Sequence, residues 1–324
     1  MKIERDNLIV YVSSRNNYDM LEKEVLKNIN LNGFELINVD DKSSNSEILK
    51  GRSICDNHGI TFLENKSRGV QYATQTLVDF INQNRPNCKW IICFQHDCYP
   101  LTKDFFKRIS KLIAAGKLDK FGSLGFNRID MGKHTPGSYL QWKNNQNPIG
   151  MLGLAHLSIL KPKRWLLPKQ NKWLIENSDW KKPFSVEITA WTAVGINIEN
   201  WKKFIKPTAE HHFHLWMPDI SMHFLKNNCP NLVLPNLYIL NMQEIKLKYN
   251  INPNSARGAR AGNDYHFGNY SNYKAWEETW GWHYEKPWEK VEIIREKFKG
   301  TLISKFANHN SENGPLNTYD LGEY

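Results

Sequence analysis

The chain has 324 residues, of which 40% are hydrophobic and 23% are charged, and its mean hydropathy is −0.59. Its longest apolar runs are far shorter than the roughly 20 residues that span a bilayer, so we expect a soluble protein without a transmembrane segment. The formal net charge of +10 permits anionic partners. Lysine and arginine form no block of five or more, however, and a generally basic surface is the simpler interpretation.

The charged start, MKIERDN, lacks the apolar core of a signal peptide, so we expect a cytoplasmic protein. Peripheral contact with a membrane stays open because of the basic charge. Five cysteines are scattered along the chain without a CxxC pair, and this odd number favours free thiols.

In the first 120 residues, apolar runs of strand length alternate with segments of helical periodicity. We predict strands over residues 8–13, 34–39, 60–63 and 90–94. We predict helices over residues 18–29, 47–55, 69–82 and 102–115, the last of them capped by Thr102. Strands that alternate with helices predict a doubly wound α/β sheet in which the strands run parallel.

The pattern changes after Lys120. We expect a strand over 121–126, a Gly/Pro/Asn-rich loop over 130–148 and apolar strand-like segments over 150–160 and 186–198. Short helices are predicted over 199–204 and 218–227, one or two strands over 231–240, and helices over 273–279 and 287–298. We expect the last eighteen residues or so to be frayed.

Polar motifs follow the predicted strands at the edge where open α/β sheets bind ligands. Ser13 and Arg15 follow the first strand, and Gln95-His96-Asp97 follows the fourth. Asp40-Asp41-Lys42-Ser43 follows the second strand, and an Asn-Lys-Ser-Arg-Gly segment over 65–69 precedes a helix rich in small residues.

In order and spacing, these motifs over residues 8–100 resemble the nucleotide-binding half of inverting glycosyltransferases of family 2, which have the GT-A fold. The resemblance implies a Rossmann-like, mixed but mainly parallel sheet flanked by helices, with an aromatic-rich C-terminal extension. It divides the chain into a nucleotide-sugar-binding half over 1–120, an acceptor-binding half of the same domain over 121–242, and an extension or lid over 243–324.

The resemblance also implies nucleotide contacts. Ser13 and Arg15 would hold the nucleotide of a UDP- or dTDP-sugar. Asp41, or its neighbour Asp40, would accept hydrogen bonds from the base. Arg68 would substitute for an arginine that the family often places where this chain has Gln71.

A metal site is implied at the third motif. Asp97 would bind Mn²⁺ or Mg²⁺ between the donor phosphates, because hard dications prefer carboxylate and phosphate oxygens. The family usually has acids where Gln95 and His96 stand, and these two would contact the metal or the phosphate instead. His266 is the candidate for a late histidine that completes the metal shell.

The second half would supply the general base for a glycan or glycolipid acceptor. Asp219, in Trp216–Met222, matches the acid that deprotonates the acceptor hydroxyl in the resembling family. It could equally be an acid that favours a helix N-terminus, and Glu187 is the rival base. Trp276, Trp280 and Trp282 are either core residues or flat platforms for a sugar ring.

Three other functions stay open. A nucleotidyltransferase is disfavoured, because the segment after the first strand has no glycine. A non-enzymatic carbohydrate- or nucleic-acid-binding protein fits the basic charge, although we expect no nucleic-acid partner. A catalytically degenerate GT-A-like protein is permitted by Gln95 and His96.

Overall fold

The computed structural model describes residues 4–130, 151–152, 182–189, 192–208, 215–242, 249, 270–284, 286–309 and 314–324. The predicted loop over 130–148 lies outside these residues except for Asp130, and of the strand-like segment over 150–160 only Met151–Leu152 is described.

The strands form one mixed sheet, in the order β3-β2-β1-β4-β9-β6-β10-β5. They are β1 Leu8–Ser14, β2 Leu36–Asp40, β3 Thr61–Glu64, β4 Trp90–Gln95, β5 Cys98–Pro100, β6 Ser123–Asp130, β7 Met151–Leu152, β8 Phe184–Val186, β9 Ala193–Asn197 and β10 Asn231–Asn241. The four predicted strands of the first half are confirmed, with shifts of one or two residues at their ends.

Strands β3, β2, β1 and β4 are parallel to one another. Strand β9 then runs antiparallel between β4 and β6, and β10 runs parallel to β6. The strands of the second half therefore continue the sheet of the first half. Strand β10 is a single strand with a register shift between Leu234 and Tyr238.

Helices flank the sheet. They are α1 Tyr18–Met20, which continues as a π-helix over Leu21–Leu26, α2 Asn45–Asn57, α3 Val70–Asn84, α4 Phe105–Ala114, α5 Ile198–Phe204, α6 Trp216–Lys226, α7 Tyr270–Trp280, α8 Val291–Lys297 and α9 Leu302–Asn308, with 3₁₀ turns at Arg5–Asn7 and Pro287–Lys290. In the described part of the chain, none of them combines the length and apolar character needed to cross a bilayer.

The alternation along β1 explains why the sheet has two apolar layers. Leu8, Val10 and Val12 pack on one side with α1 and α4, whereas Ile9 and Tyr11 pack on the other with α3 and α6. Successive side chains of a strand point to opposite faces, so a strand that is apolar at every position is buried on both.

Helix α4 begins at Phe105, and the prediction that Thr102 caps it is wrong. The Thr102 hydroxyl instead accepts a hydrogen bond of 2.7 Å from the backbone N–H of Tyr238 on β10. The residue before the helix is Asp104, with a positive φ of 57°.

The prediction of a frayed C-terminus is also wrong for residues 314–324. Thr318 bridges to Phe184, and the Tyr319 ring packs edge-on against Phe121 with centroids 4.9 Å apart. Leu321 is buried in the same core as β1. The end of the chain is thus fixed against the sheet.

A third apolar cluster joins the extension to helix α6. Trp276, Trp280 and Trp282 are 1%, 2% and 3% exposed and pack with Met222. These three tryptophans are core residues in this structure, since rings so fully covered offer no platform to a sugar. The aromatic-rich C-terminal extension is present as predicted.

Candidate functional site

The register of the sheet brings the first three polar motifs to one edge. Ser13 on β1 lies beside Val39 on β2 and beside Gln95 on β4. Because these strands are parallel, the residues that follow them emerge at the same carboxyl edge. Arg15, the two aspartates at 40 and 41, and the Gln95-His96-Asp97 motif are therefore neighbours along this edge.

Asp40 is 1% exposed, and protein groups hold its carboxylate. The Tyr18 hydroxyl donates to Oδ2 at 2.6 Å, the Ser43 hydroxyl donates to the same oxygen, and the Ser43 backbone N–H donates to Oδ1 at 2.9 Å. Burial and the nearby Asp40 charge raise the pKa of Tyr18 far above its ordinary value, so this phenol stays a donor. Asp40 thus fixes the loop after β2.

Tyr18 reaches Asp40 because helix α2 makes room for its ring. A Cβ atom added at Gly51 would lie 2.5 Å from Cζ of Tyr18, which is closer than real contacts allow. The hydroxyl of Tyr18 also accepts a bond of 3.3 Å from Asn38 Nδ2, and Ser14 donates to Asn38 at 2.5 Å. The sequence gives no sign of this chain of contacts, because Tyr18 has the character of one more apolar helix position.

Asp41 is 2% exposed and joins β2 to the start of α3. Its Oδ1 accepts hydrogen bonds from Asn65 Nδ2 at 2.8 Å and from the Gly69 backbone N–H at 2.7 Å. Gly69 precedes α3 with φ 121°, a conformation that side chains rarely adopt. The carboxylate therefore lies at the positive end of α3, where an anion is stabilised.

The two predicted arginines border these aspartates. Arg15 follows β1, Arg68 precedes Gly69, and both are half-buried. Ser13 is likewise half-buried. Guanidinium groups are suited to binding diphosphate because their fixed fork of N–H donors matches phosphate oxygens.

Asp97 is 1% exposed, one residue before β5. Its Oδ1 accepts a weak bond of 3.3 Å from the Cys98 thiol, and its carbonyl accepts a bond of 3.0 Å from Met242 N–H on the segment after β10. The preceding residues, Gln95 and His96, are half-buried.

The donor set near Asp97 limits how a metal could be held. Within the described residues, no three His, Cys, Asp or Glu side chains come together as a metal site. Mg²⁺-type cations are nevertheless often held by one or two carboxylates together with substrate phosphates. Asp97 suits that shared mode better than a site of three or more protein ligands, which the described residues do not form. The predicted second ligand, His266, lies outside the described residues.

Asp219 is 3% exposed, in the first turn of α6. Gln71 Nε2 donates to Oδ2 at 3.2 Å and Trp280 Nε1 donates to Oδ1 at 3.1 Å. His223, one turn along α6, has its Nε2 3.7 Å from Oδ1. The sequence does not indicate Trp280 as a partner of Asp219, because the two residues are 61 positions apart.

Gln71 links the first turn of α3 to α6 and to the segment after α5. It is fully buried in the first turn of α3, and its Oε1 accepts a bond of 3.0 Å from the Thr208 backbone N–H. Gly69, two residues earlier, contacts Asp41. The N-terminus of α3 therefore holds both Asp41 and Asp219.

Glu187, the rival base, is separate from these contacts. Its carboxyl is buried after β8, and burial raises its pKa well above the ordinary value. It contributes to a small cavity beside the tryptophans of the third apolar cluster.

No family model matches the sequence, and no curated protein matches it. Among solved structures, the chain is similar to GalNAc-T7 with UDP, GalNAc and Mn²⁺, at 14% identity and a TM-score of 0.51 over 91% of this chain. The match covers 57% of that protein, so this chain spans little more than half of its length. A second match, at 11% identity and a TM-score of 0.44, is mannosyltransferase PcManGT from Pyrobaculum calidifontis in complex with GDP-Man and Mn²⁺, covering 93% of this chain and 85% of that one.

The chain has the GT-A type glycosyltransferase fold. The likeness to GalNAc-T7 and the 3-2-1-4 order of parallel strands both support this, and they confirm the predicted fold class.

Proposed function

We propose that this chain is a glycosyltransferase that moves a sugar from a nucleotide-sugar donor to a hydroxyl group of a glycan or glycolipid. The observation that carries the proposal is the pair Asp40 and Asp41, fixed at the end of β2, with Asp97 after β4 in a GT-A type sheet. The similar GalNAc-T7 structure holds UDP, which supports a uridine donor; dTDP-sugars remain the other candidate.

The donor would lie along the edge formed by β1, β2 and β4. Asp41 or Asp40 would accept hydrogen bonds from the base, while Ser13, Arg15 and Arg68 would hold the ribose-diphosphate part. Asp97, with Gln95 and His96 beside it, would hold Mn²⁺ or Mg²⁺ together with the donor phosphates. Such an ion neutralises charge on the departing diphosphate.

Asp219 would act as the general base on the acceptor hydroxyl, a role that typically contributes roughly 10²–10⁴-fold in rate. Attack in line with the departing diphosphate would invert the anomeric configuration. Most of the gain would come from holding donor and acceptor in line. Because Asp219 is buried, the acceptor would have to replace one of its present donors, Gln71 or Trp280.

A thermal-shift panel of UDP, dTDP and GDP, each with and without Mn²⁺, tests donor binding. Ligands that bind only the folded state raise the melting temperature by mass action. We expect one nucleotide to stabilise the wild type more in the presence of Mn²⁺, and we expect Asp97→Asn to lose that Mn²⁺-dependent part. Asp79→Asn, an exposed change on α3, is the matched control. A flat panel at saturating concentrations would contradict the proposal.

Turnover is tested with the nucleotide sugar that the panel selects. We expect release of the nucleoside diphosphate to depend on an acceptor glycan and to fall by at least roughly 10²-fold in Asp219→Asn. Nuclear magnetic resonance of the new glycosidic bond would show whether the configuration is inverted. Retention of configuration would rule out the single-displacement route.

A catalytically degenerate GT-A-like protein is the second candidate function. It is favoured by the burial of Asp97 and Asp219 and by Gln95 and His96 at positions where the resembling family has acids. Such a protein would give the nucleotide-specific thermal shift but no turnover with any acceptor. The two assays together therefore separate the candidates.

A further inference from the structure

A row of polar residues crosses the carboxyl edge of the sheet and ends at Arg128, which none of the sequence motifs includes. Ser13 on β1 lies beside Gln95 on β4 in the parallel register. The Gln95 backbone N–H donates to the Thr192 carbonyl at 3.1 Å. The Thr192 hydroxyl in turn accepts a bond of 3.0 Å from Arg128 Nη1. The row therefore runs from β1 through β4 and the start of β9 to β6.

Arg128 has a fixed place at the end of this row. Its backbone lies in the sheet, between β10 on one side and β7 on the other. Within the described residues, β9 pairs with β6 only at Ser123 and Leu124, nearer the start of β6. The Arg128 side chain thus spans the distance from β6 to Thr192 beyond that pairing. The strand and the Thr192 hydroxyl together hold the guanidinium at the carboxyl edge.

The proposed donor would lie along the same row. The end that receives the base is at Asp41, whose backbone N–H donates to the Ser14 carbonyl on β1 at 2.8 Å. The Gln95-His96-Asp97 motif comes next, where the diphosphate and its metal ion would lie. The sugar is attached to the second phosphate, so it would lie beyond this motif, on the side of Arg128.

A guanidinium group at that place favours an acidic sugar. Its planar fork of N–H donors matches the two oxygens of a carboxylate, and such charge-assisted pairs are stronger than bonds to a neutral hydroxyl. Charge is costly to bury, so an arginine that is only 9% exposed suits a ligand with the opposite charge. A neutral hexose would offer it hydroxyl groups alone.

We propose that the donor sugar is a hexuronate whose carboxylate binds Arg128. Arg128 would contact the sugar and select the donor, and Thr192 would position the guanidinium. This inference rests on the proposed function, because it requires a nucleotide sugar at the carboxyl edge. It adds the class of sugar, for which neither Asp41 nor Asp97 gives an indication.

The test measures the affinity for two pairs of donors in the presence of Mn²⁺, glucuronate against glucose and galacturonate against galactose. Each is bound to UDP, or to dTDP if the thermal-shift panel selects it, and the two members of a pair differ only in the carboxylate. We expect the wild type to bind the uronate of at least one pair roughly tenfold more tightly than its neutral partner or better. The nucleoside diphosphate alone is the reference ligand.

Variants of Arg128 separate recognition of the sugar from a structural role. Arg128→Gln should abolish the preference for the uronate but leave the affinity for the nucleoside diphosphate unchanged. Arg128→Lys keeps the charge without the fork, so we expect an intermediate preference. Arg52→Gln, a change at an exposed arginine paired with Glu64, is the control and should keep the full preference.

The outcomes distinguish this inference from the proposed function. Equal affinity for uronate and hexose in both pairs, or an undiminished preference in Arg128→Gln, would overturn the inference and leave the sugar transfer standing. An equal loss of affinity for the diphosphate alone would assign Arg128 to the phosphates and would also overturn it. Failure of every nucleotide sugar to bind would overturn both. Should Arg128→Gln fail to fold, Thr192→Val decides, because removing the acceptor of Arg128 must lower the preference.

Discussion

Replacing Gln71 by methionine tests the contact that joins α3 to α6. Methionine has nearly the volume of glutamine, but it offers neither the N–H donor nor the carbonyl acceptor. The change would leave Asp219 Oδ2 without its donor at 3.2 Å and the Thr208 N–H without its acceptor at 3.0 Å. The variant therefore removes hydrogen bonds while preserving packing.

The expected cost follows from the types of the two bonds. A hydrogen bond to a charged group contributes about 1.5–3 kcal/mol, and a buried donor left unpaired costs about 1–3 kcal/mol. We expect the free energy of unfolding of Gln71→Met to fall by about 3 kcal/mol, because part of the gross cost is relieved when Asp219 reorients towards Trp280. At roughly 2 °C per kcal/mol for a chain of this size, the melting temperature should fall by about 6 °C.

Urea denaturation and a thermal scan measure this effect, with Gln83→Met as the control. Gln83 lies on the same helix but is exposed, so its replacement should change the free energy by no more than about 0.5 kcal/mol. If Gln71→Met is as stable as Gln83→Met, the buried amide does not hold Asp219, and the link between α3 and α6 is refuted.

Gln71→Glu examines the same contact through charge. Two carboxyl groups within hydrogen-bonding distance cannot both ionise easily, so the pair at 71 and 219 would share one proton near neutral pH. We expect this variant to lose stability, relative to the wild type, as the pH rises through the range in which carboxyl groups titrate. A constant difference between the two proteins from acid to neutral pH would argue against direct contact.

Three further predictions test the supports of the site. Gly51→Ala places a Cβ atom 2.5 Å from Cζ of Tyr18. The overpacking cost of about 1–3 kcal/mol exceeds the helix-propensity gain of about 1 kcal/mol. Urea denaturation should therefore show a net loss in the free energy of unfolding. Trp280→Phe removes the indole donor to Asp219 at 3.1 Å and should cost about 1.5–3 kcal/mol in the same assay, which an unchanged midpoint would contradict. Burial raises the pKa of Glu187 above its ordinary value of 4.5, so the protonated acid stabilises the folded state. This contribution to the free energy of unfolding is complete below the ordinary pKa and is lost as the pH rises through the folded-state pKa. The free energy of unfolding, measured at several pH values, should therefore depend less on pH in Glu187→Gln.

The first half of the fold could be predicted because its signals are local. Leu8, Val10 and Val12 on one face of β1, with Ile9 and Tyr11 on the other, form a continuous apolar run that indicates a strand buried on both sides. The turn residues that follow each strand then indicate the sheet's polar edge. These features depend on residues close together in sequence.

The errors come from contacts between distant residues. Thr102 looks like a helix cap, but its hydroxyl is taken by a backbone group 136 residues away on β10. The last residues look like a polar tail, yet Lys120 and Phe121 pack against Tyr319. Neither outcome has a local signal, because the competing partner is set by the sheet order.

The candidate site likewise has features that the sequence predicts and contacts that it does not. The positions of Asp41 and Asp97 at strand ends were predictable, whereas the donors that occupy their carboxylates were not. Tyr18, the donor to Asp40, resembles an ordinary apolar helix position, and Glu187 gives no sign in the sequence that it is fully buried. Burial of a polar group is a property of the assembled core, so it follows only from the structure.

The start of α3 connects the parts of the site that the proposed function assigns to donor and acceptor. Gly69 donates to Asp41, and Gln71, two residues later, donates to Asp219. A single helical turn is stiff on this scale, because its backbone bonds fix the relative positions of its residues. The separation between Asp41 and Asp219 is therefore set by one rigid element, not by two loops. A fixed separation would serve the proposed in-line transfer, in which small displacements of a reacting group lower the rate sharply.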